Sequence, residues 1–126
     1  YFDIDSEVFY ADFMWDRVLE QIETENFKLK TIPKFPKVKR DLALLLDKDI
    51  SFDSIRESAI KSERNLLKNI NLFDVYTGSK LPKDKKSYAI SFTLQDEKKT
   101  LTDKQIDKIM KKLQQNFEKD FGAILR

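Results

Sequence analysis

The residues best suited to chemistry lie at alternating positions of two extended segments, and the chemistry they favour is binding. Segments 72–78 and 86–96 flank a turn that contains Gly78 and Pro82, which predicts a β-hairpin. On one face the hairpin carries only small polar residues and a single tyrosine, Tyr76. A floor of small side chains lets a planar base approach the backbone while an aromatic ring stacks on it.

Residues for catalysis are hard to find in this sequence. It has no histidine and no cysteine, which removes most nucleophile–base pairs, disulfides and transition-metal sites. Asp47 and Asp49 flank a loop, but nothing in the sequence brings a third ligand beside them. Gly78 and Gly122 are the only glycines, so there is no glycine-rich phosphate loop. We therefore expect a non-catalytic chain without a metal or cofactor of its own.

The charges are segregated along the chain. Residues 1–32 carry eight acidic and three basic side chains, for a net charge of −5. Residues 33–126 carry 14 acidic and 21 basic side chains, for a net charge of +7. This division suggests two units, of which the basic one could contact a polyanion. No stretch approaches the roughly 18 apolar residues that a membrane span needs, so we expect no membrane partner.

The N-terminal residues form an extension to the basic unit. The mixed aromatic and acidic segment Ile4–Trp15 predicts a strand, and Arg17–Ile22 could begin a short helix. Pro33 and Pro36 then exclude regular structure and favour an extended linker.

Local patterns predict the elements around the hairpin. Arg40–Asp47 is short and mostly apolar, which is typical of a central strand. Ser51 is a suitable N-cap, and apolar residues at helical spacing predict a helix from there to about Lys68. The hairpin then occupies Leu72–Asp96.

The last third of the chain predicts a second helix and a closing strand. Thr102 and Gln105 match a capping box, and Gly122 ends the helix that they begin. Ala123–Arg126 can form one more strand. The order is β-α-β-β-α-β, a ferredoxin-like α+β fold in which an antiparallel sheet carries both helices on one face.

Alternation assigns each strand residue to the helix-covered face or to the open face of this sheet. The covered face is predicted to take Leu42, Leu44, Leu46, Phe73, Val75, Tyr88, Ile90, Phe92 and Leu94. The open face is predicted to take Asp41, Ala43, Leu45, Asp74, Tyr76, Ser87, Ala89, Ser91 and Thr93. The sequence thus predicts a flat open face with Tyr76 at one edge.

Several short segments resemble a known family. They are Phe35-Pro36, Arg40–Ala43, Leu72–Gly78, Lys85–Ala89, Thr100–Asp103 and Phe121–Arg126. Across residues 32–126 their order and spacing resemble the ferredoxin-fold anticodon-binding domain at the C-terminus of the bacterial phenylalanyl-tRNA synthetase β subunit.

The resemblance implies that the open face recognises the anticodon arm of tRNA(Phe). By position, Tyr76 would be the stacking platform for an anticodon base, and Ala43, Ser87 and Ala89 would form the floor. Position near the open face and charge make four residues candidates for phosphate contacts: Lys39, Lys85, Lys86 and Arg126. Stacking and base-edge hydrogen bonds would supply specificity, while the lysines would set affinity and salt dependence.

The resemblance also implies a larger context. Residues 1–32 would be the terminal strand and helix of a preceding synthetase-core-like domain plus a linker, and residues 33–126 the anticodon-binding domain. The chain would then be a piece of a cytoplasmic ligase that uses ATP and Mg²⁺. Its partners would be the remainder of the β subunit and an α subunit that carries catalysis, in an α2β2 heterotetramer.

Two other functions fit the same fold. One is a generic RNA-binding module, although neither central strand carries the aromatic-rich signature of such modules. The other is a regulatory domain that binds a small molecule or pairs through its sheet, which the basic excess after residue 33 disfavours.

Overall fold

The chain divides into two compact units, Tyr1–Thr31 and Ile32–Arg126. The computed structural model describes residues 4–22 and 32–126. In the first unit the described residues include helix α1, Trp15–Glu20, and their side chains are exposed. No helix among the described residues is both long and apolar enough to cross a membrane.

The predicted strand over Ile4–Trp15 is wrong. Residues 4–14 form no strand, and α1 begins at Trp15, two residues before the predicted helix start at Arg17. A strand needs a neighbour to satisfy its backbone hydrogen bonds. The described part of this unit provides no such neighbour.

The second unit is built on a four-stranded antiparallel sheet in the order β2-β3-β1-β4. Its elements in chain order are β1 Val38–Asp47, α2 Phe52–Ser62, β2 Leu67–Tyr76, β3 Lys85–Leu94, α3 Asp103–Phe121 and β4 Ile124–Leu125. The predicted ferredoxin-like β-α-β-β-α-β order is confirmed. The two long central strands, β1 and β3, pair along their whole length.

Helix α2 begins where the sequence predicts and ends earlier. Ser51 is its N-cap, and the Ser51 Oγ accepts a hydrogen bond from the backbone N–H of Ser54 at 3.2 Å. The predicted end near Lys68 is wrong, because the extended backbone of Glu63 breaks the helix after Ser62. The Glu63 carboxylate accepts hydrogen bonds from the backbone N–H groups of Asn65 and Leu66 in the turn. Leu67 therefore enters the core from β2.

Helix α3 has both predicted ends. Thr102 and Gln105 form the capping box. Gly122 adopts the left-handed conformation with φ 59°, and the Ala123 N–H donates to the Phe117 carbonyl at 3.2 Å. The predicted closing strand is present as β4, and it pairs with β1.

The core lies between the helices and one face of the sheet. Leu44, Ile90 and Phe92 are buried from the sheet side, and Ile55 from α2. The rings of Phe92 and Phe117 stack with their centroids 6.1 Å apart, which joins β3 to α3. The buried apolar residues of the sheet share one face, so the helices cover that face and leave the opposite one free of helices. On the opposite face Ser87 and Thr93 are also buried, at 9% and 7% exposure.

Candidate nucleic-acid interface

The open face is organised in rows that cross the strands, because directly paired residues of antiparallel strands share a face. Ala43 pairs with Ala89, and Leu45 pairs with Ser87. On the other side of β3, Tyr76 pairs with Ser87. The structure therefore brings the predicted platform and its predicted floor together in two adjacent rows.

Residues of opposite charge stand at the two ends of the Ala43–Ala89 row. Asp74 pairs with Ala89, and the backbone N–H of Arg126 donates to the Ala43 carbonyl at 3.0 Å, which continues the β4 ladder. The sequence placed Asp74 on this face without a site role. Beside a floor of two methyl groups, its carboxylate is positioned to accept hydrogen bonds from the N–H groups of a base edge.

The Tyr76 ring lies against Gly78, which is two residues further along the chain, just after the end of β2. The tyrosine is 39% exposed, and a β-carbon added at Gly78 would overlap its phenol ring. The backbone of Gly78 is not left-handed, so glycine matters here for the position of the Tyr76 ring, which a larger residue would displace, and not for conformation. Sequence reasoning treated Gly78 as a turn residue. The Tyr-x-Gly spacing, which puts both residues on one face of an extended segment, was the available signal.

A β-bulge at Phe73 directs Asp74 and Tyr76 to the open face. Leu72 pairs with Ile90 and Asp74 pairs with Ala89, so Phe73 is an extra residue without a partner on β3. Before the bulge, Leu72 shares the covered face with Ile90. After it, the alternation restarts one residue later. The bulge thus allows one strand to direct Leu72 to the core and Tyr76 to the open face.

The bulge also overturns one predicted assignment. Phe73 was assigned to the covered face by alternation, but it is 56% exposed, so that prediction is wrong. Val75 does pair with Tyr88 on the covered face, yet it remains 49% exposed on the outermost strand. Simple alternation failed because the extra residue interrupts it.

Consecutive lysines at the start of β3 lie on opposite faces. Lys85 pairs with Asp47, and its Nζ forms an ion pair with the Asp47 carboxylate at 2.8 Å. Lys86 is on the covered side and is only 9% exposed. Its Nζ donates to the Lys48 carbonyl at 2.8 Å and lies 4.6 Å from the Tyr88 ring centroid. The predicted position of Lys86 near the open face is therefore wrong.

The last predicted site residue, Lys39, lies far from the platform. It is exposed and pairs with Thr93, near the opposite end of the open face from Tyr76. Between these two ends the face carries the row in which Asp41 pairs with Ser91. The basic candidates on this face thus stand around its margin.

The sheet, its rows and the tyrosine occupy the segment that matches a family model, the ferredoxin-fold anticodon binding domain, over residues 33–126. The chain belongs to this family. As an anticodon-binding domain of the ferredoxin fold, it uses two helices to cover one sheet face and leaves the other available to a ligand.

The chain is similar to curated proteins that share the name phenylalanine–tRNA ligase beta subunit. The chain is 54% identical to the phenylalanine–tRNA ligase beta subunit of Bacteroides fragilis over 125 residues, which are 99% of this chain and 15% of that protein. It is 46% identical to the Porphyromonas gingivalis protein of the same name, with the same two shares covered. For the Clostridium acetobutylicum protein the identity is 38%, over 99% of the chain and 16% of that protein. The anticodon-binding domain and its N-terminal extension thus span about 15% of the length of these relatives.

Proposed function

We propose that this chain binds the anticodon arm of tRNA(Phe) on its open face, as part of a phenylalanine–tRNA ligase beta subunit. Its role there is to position the tRNA for aminoacylation by the parent ligase. The observation that carries the proposal is the row in which Tyr76 pairs with Ser87, beside the row formed by Ala43 and Ala89. This arrangement leaves an aromatic ring and a flat floor uncovered by helices.

The proposed recognition combines stacking with reading of one base edge. The Tyr76 ring stacks on an anticodon base, which is worth about 1–3 kcal/mol per base. The methyl groups of Ala43 and Ala89 let that base lie close to the sheet. The Ser87 hydroxyl can donate or accept a hydrogen bond, and the Asp74 carboxylate can only accept, so Asp74 favours a base that presents N–H groups.

The basic residues of the open face contribute affinity. Lys39, Lys85 and Arg126 are the proposed phosphate contacts, and binding should weaken with salt in proportion to the phosphates they neutralise. Lys86 is removed from the group, because its side chain is buried on the covered side of the sheet, where its ammonium donates to the Lys48 carbonyl.

In the parent enzyme this chain has a binding role and no chemistry of its own. We propose an ATP- and Mg²⁺-dependent cytoplasmic ligase, with catalysis on an α subunit in an α2β2 assembly. The two glycines of the chain form no phosphate loop, and the described residues contain no group of three or more acidic residues able to hold a metal ion. Residues 1–32 are proposed to be the end of the preceding synthetase-core-like domain, which the separation of Tyr1–Thr31 as a unit supports.

Filter binding at fixed salt tests the proposal. The ligands are tRNA(Phe), the same tRNA with its anticodon arm deleted, and a tRNA with a different anticodon. We expect binding of tRNA(Phe) to be lost with the arm and weakened with the wrong anticodon. Equal binding to all three would indicate a generic RNA-binding module, and no binding to any of them would favour the small-molecule alternative. Either result would overturn the proposal.

A further inference from the structure

We propose that the open face contains a second nucleotide site, beyond the Tyr76 platform, for a nucleotide further along the same single strand. We call it the amide strip. It consists of Lys39, Asp41, Asn69, Asn71, Ser91 and Thr93. This inference rests on the proposed function, since it concerns how the same RNA continues across the sheet.

Strand register puts the amide strip on the same face as the platform. Ser91 pairs with Asp41 on one side and with Asn71 on the other. On the open face this row is next to the Ala43–Ala89 row, because Asp41 lies two residues before Ala43 on β1 and Ser91 lies two residues after Ala89 on β3. Alternation therefore turns its side chains toward the open face, continuous with the floor.

The next row completes the strip. Thr93, which is only 7% exposed, pairs with Lys39 and with Asn69 and supports the row from beneath. A register shift between Leu67 and Asn69 brings Asn69 opposite Thr93. Two side-chain amides thus stand side by side on the outer strand, and both of these residues are exposed.

The residue types are unusual for their position. Asparagine is depleted in strands, where β-branched and aromatic residues are favoured. Asn69 and Asn71 occupy exposed positions of β2, where a threonine or valine would stabilise the strand better. Each amide offers two donors and an acceptor, which suits the mixed edge of a base or a ribose hydroxyl.

The distance along β3 between the Tyr76 platform and Lys39 means that an RNA contacting both would pass over the amide strip. Ser87 and Thr93 lie six residues apart on β3, which is roughly 20 Å along an antiparallel strand. A stacked strand advances only about 3.4 Å per nucleotide. One base on Tyr76 therefore cannot bring its own phosphate to Lys39, and an RNA that reaches Lys39 must cross the row of Asp41 and Asn71.

Charge fixes which part of the nucleotide faces the strip. The Asp41 carboxylate is exposed and would repel a phosphate, but it accepts hydrogen bonds from the amino group of a base. Lys39, one row further, suits the phosphate. The geometry therefore points to a nucleotide whose base edge faces Asp41 and Asn71, with its backbone directed toward Lys39.

The test uses the 126-residue chain and an RNA hairpin with the anticodon loop of tRNA(Phe), in which each loop nucleotide in turn is made abasic. The proteins are the wild type, the double variant Asn69→Ala/Asn71→Ala, Tyr76→Ala, and Gln115→Ala as a control amide on the exposed surface of α3. Thermal unfolding checks that each variant is folded. We expect the double variant to bind the intact hairpin about tenfold more weakly, from the loss of one or two hydrogen bonds.

The abasic series identifies the site. In the wild type, one abasic position should weaken binding through the strip and another through Tyr76. The double variant should lose sensitivity at the first position only, Tyr76→Ala at the second only, and Gln115→Ala at neither. If the double variant binds every hairpin as the wild type does while Tyr76→Ala binds weakly, the strip is not a site and the proposed function stands. If Tyr76→Ala also leaves binding unchanged, the proposed function itself fails.

Discussion

The two faces of the sheet use the same strands for opposite purposes. On the covered face, Leu44, Ile90 and Phe92 are buried against the helices. On the open face the residues between them are mostly small or polar, and large side chains stand at the margin. Lys85 and Lys86 make the difference plain: adjacent in sequence, one joins an open-face ion pair and the other is buried with its ammonium bound. A shift of one residue therefore exchanges a buried position on the covered face for a position on the face that we propose binds RNA.

The largest expected effect is on the covered face. Phe92→Ala removes a fully buried ring that stacks on Phe117, so it should lower the free energy of unfolding by about 3–5 kcal/mol. The adjacent open-face change Ser91→Ala should alter it by no more than about 0.5 kcal/mol. Urea unfolding measures both. Similar losses for the two variants would contradict the division between the faces.

The platform should show the reverse pattern. Tyr76→Ala should weaken binding of the anticodon arm by about 1–3 kcal/mol through loss of stacking, with little change in the urea midpoint. Tyr76→Phe, the matched control, keeps the ring and should retain most of the affinity. Equal dissociation constants for the wild type and Tyr76→Ala at one salt concentration would remove Tyr76 from the site.

Substitutions at the two glycines should also separate an effect on RNA binding from an effect on stability. Gly78→Ala displaces the Tyr76 ring and should cost part of the stacking energy, about 1 kcal/mol of binding. Gly122→Ala meets no neighbouring atom within 4 Å but forces alanine into the left-handed region, which costs about 1–2 kcal/mol of stability and should spare binding. Titration and unfolding of both variants check this. An exchange of the two effects would mean that the ring position does not matter.

The smallest effect is expected for the lysine pair. Lys85→Ala should reduce the slope of log affinity against log salt by about 0.7, the value for one phosphate contact on a single strand. Lys86→Met should leave the slope unchanged, because that ammonium does not face the RNA. The measurement is a salt titration of hairpin binding, and an equal change in slope for both variants would argue against the assignment of faces.

Local signals predicted most of the fold. Ser51, the Thr102–Gln105 capping box and Gly122 mark helix ends through contacts within a few residues, so the sequence alone was sufficient. The end of α2 was misplaced because Leu67 continues the apolar spacing of the helix, although its burial comes from the strand. The predicted strand over Ile4–Trp15 failed because strand formation depends on a partner that a sequence pattern does not reveal.

The site was predictable to the extent that alternation holds. It correctly placed Tyr76, Ala43, Ser87 and Ala89 on one face. It could not reveal the bulge at Phe73, because an extra residue is defined only by pairing with β3. The packing of Tyr76 on Gly78 depends on the position of the ring, which composition and spacing do not determine.

Binding on the open face is tested most directly by finding which face of the sheet the RNA contacts. Alanine methyl groups report this by NMR, because Ala43 and Ala89 lie on the open face and Ala59 is fully buried in the core. Titration with the anticodon hairpin should shift the Ala43 and Ala89 methyl signals, through the ring currents of a nearby base, and leave the Ala59 signal in place. Unchanged Ala43 and Ala89 signals at saturating RNA would contradict the account, since the RNA would then bind elsewhere.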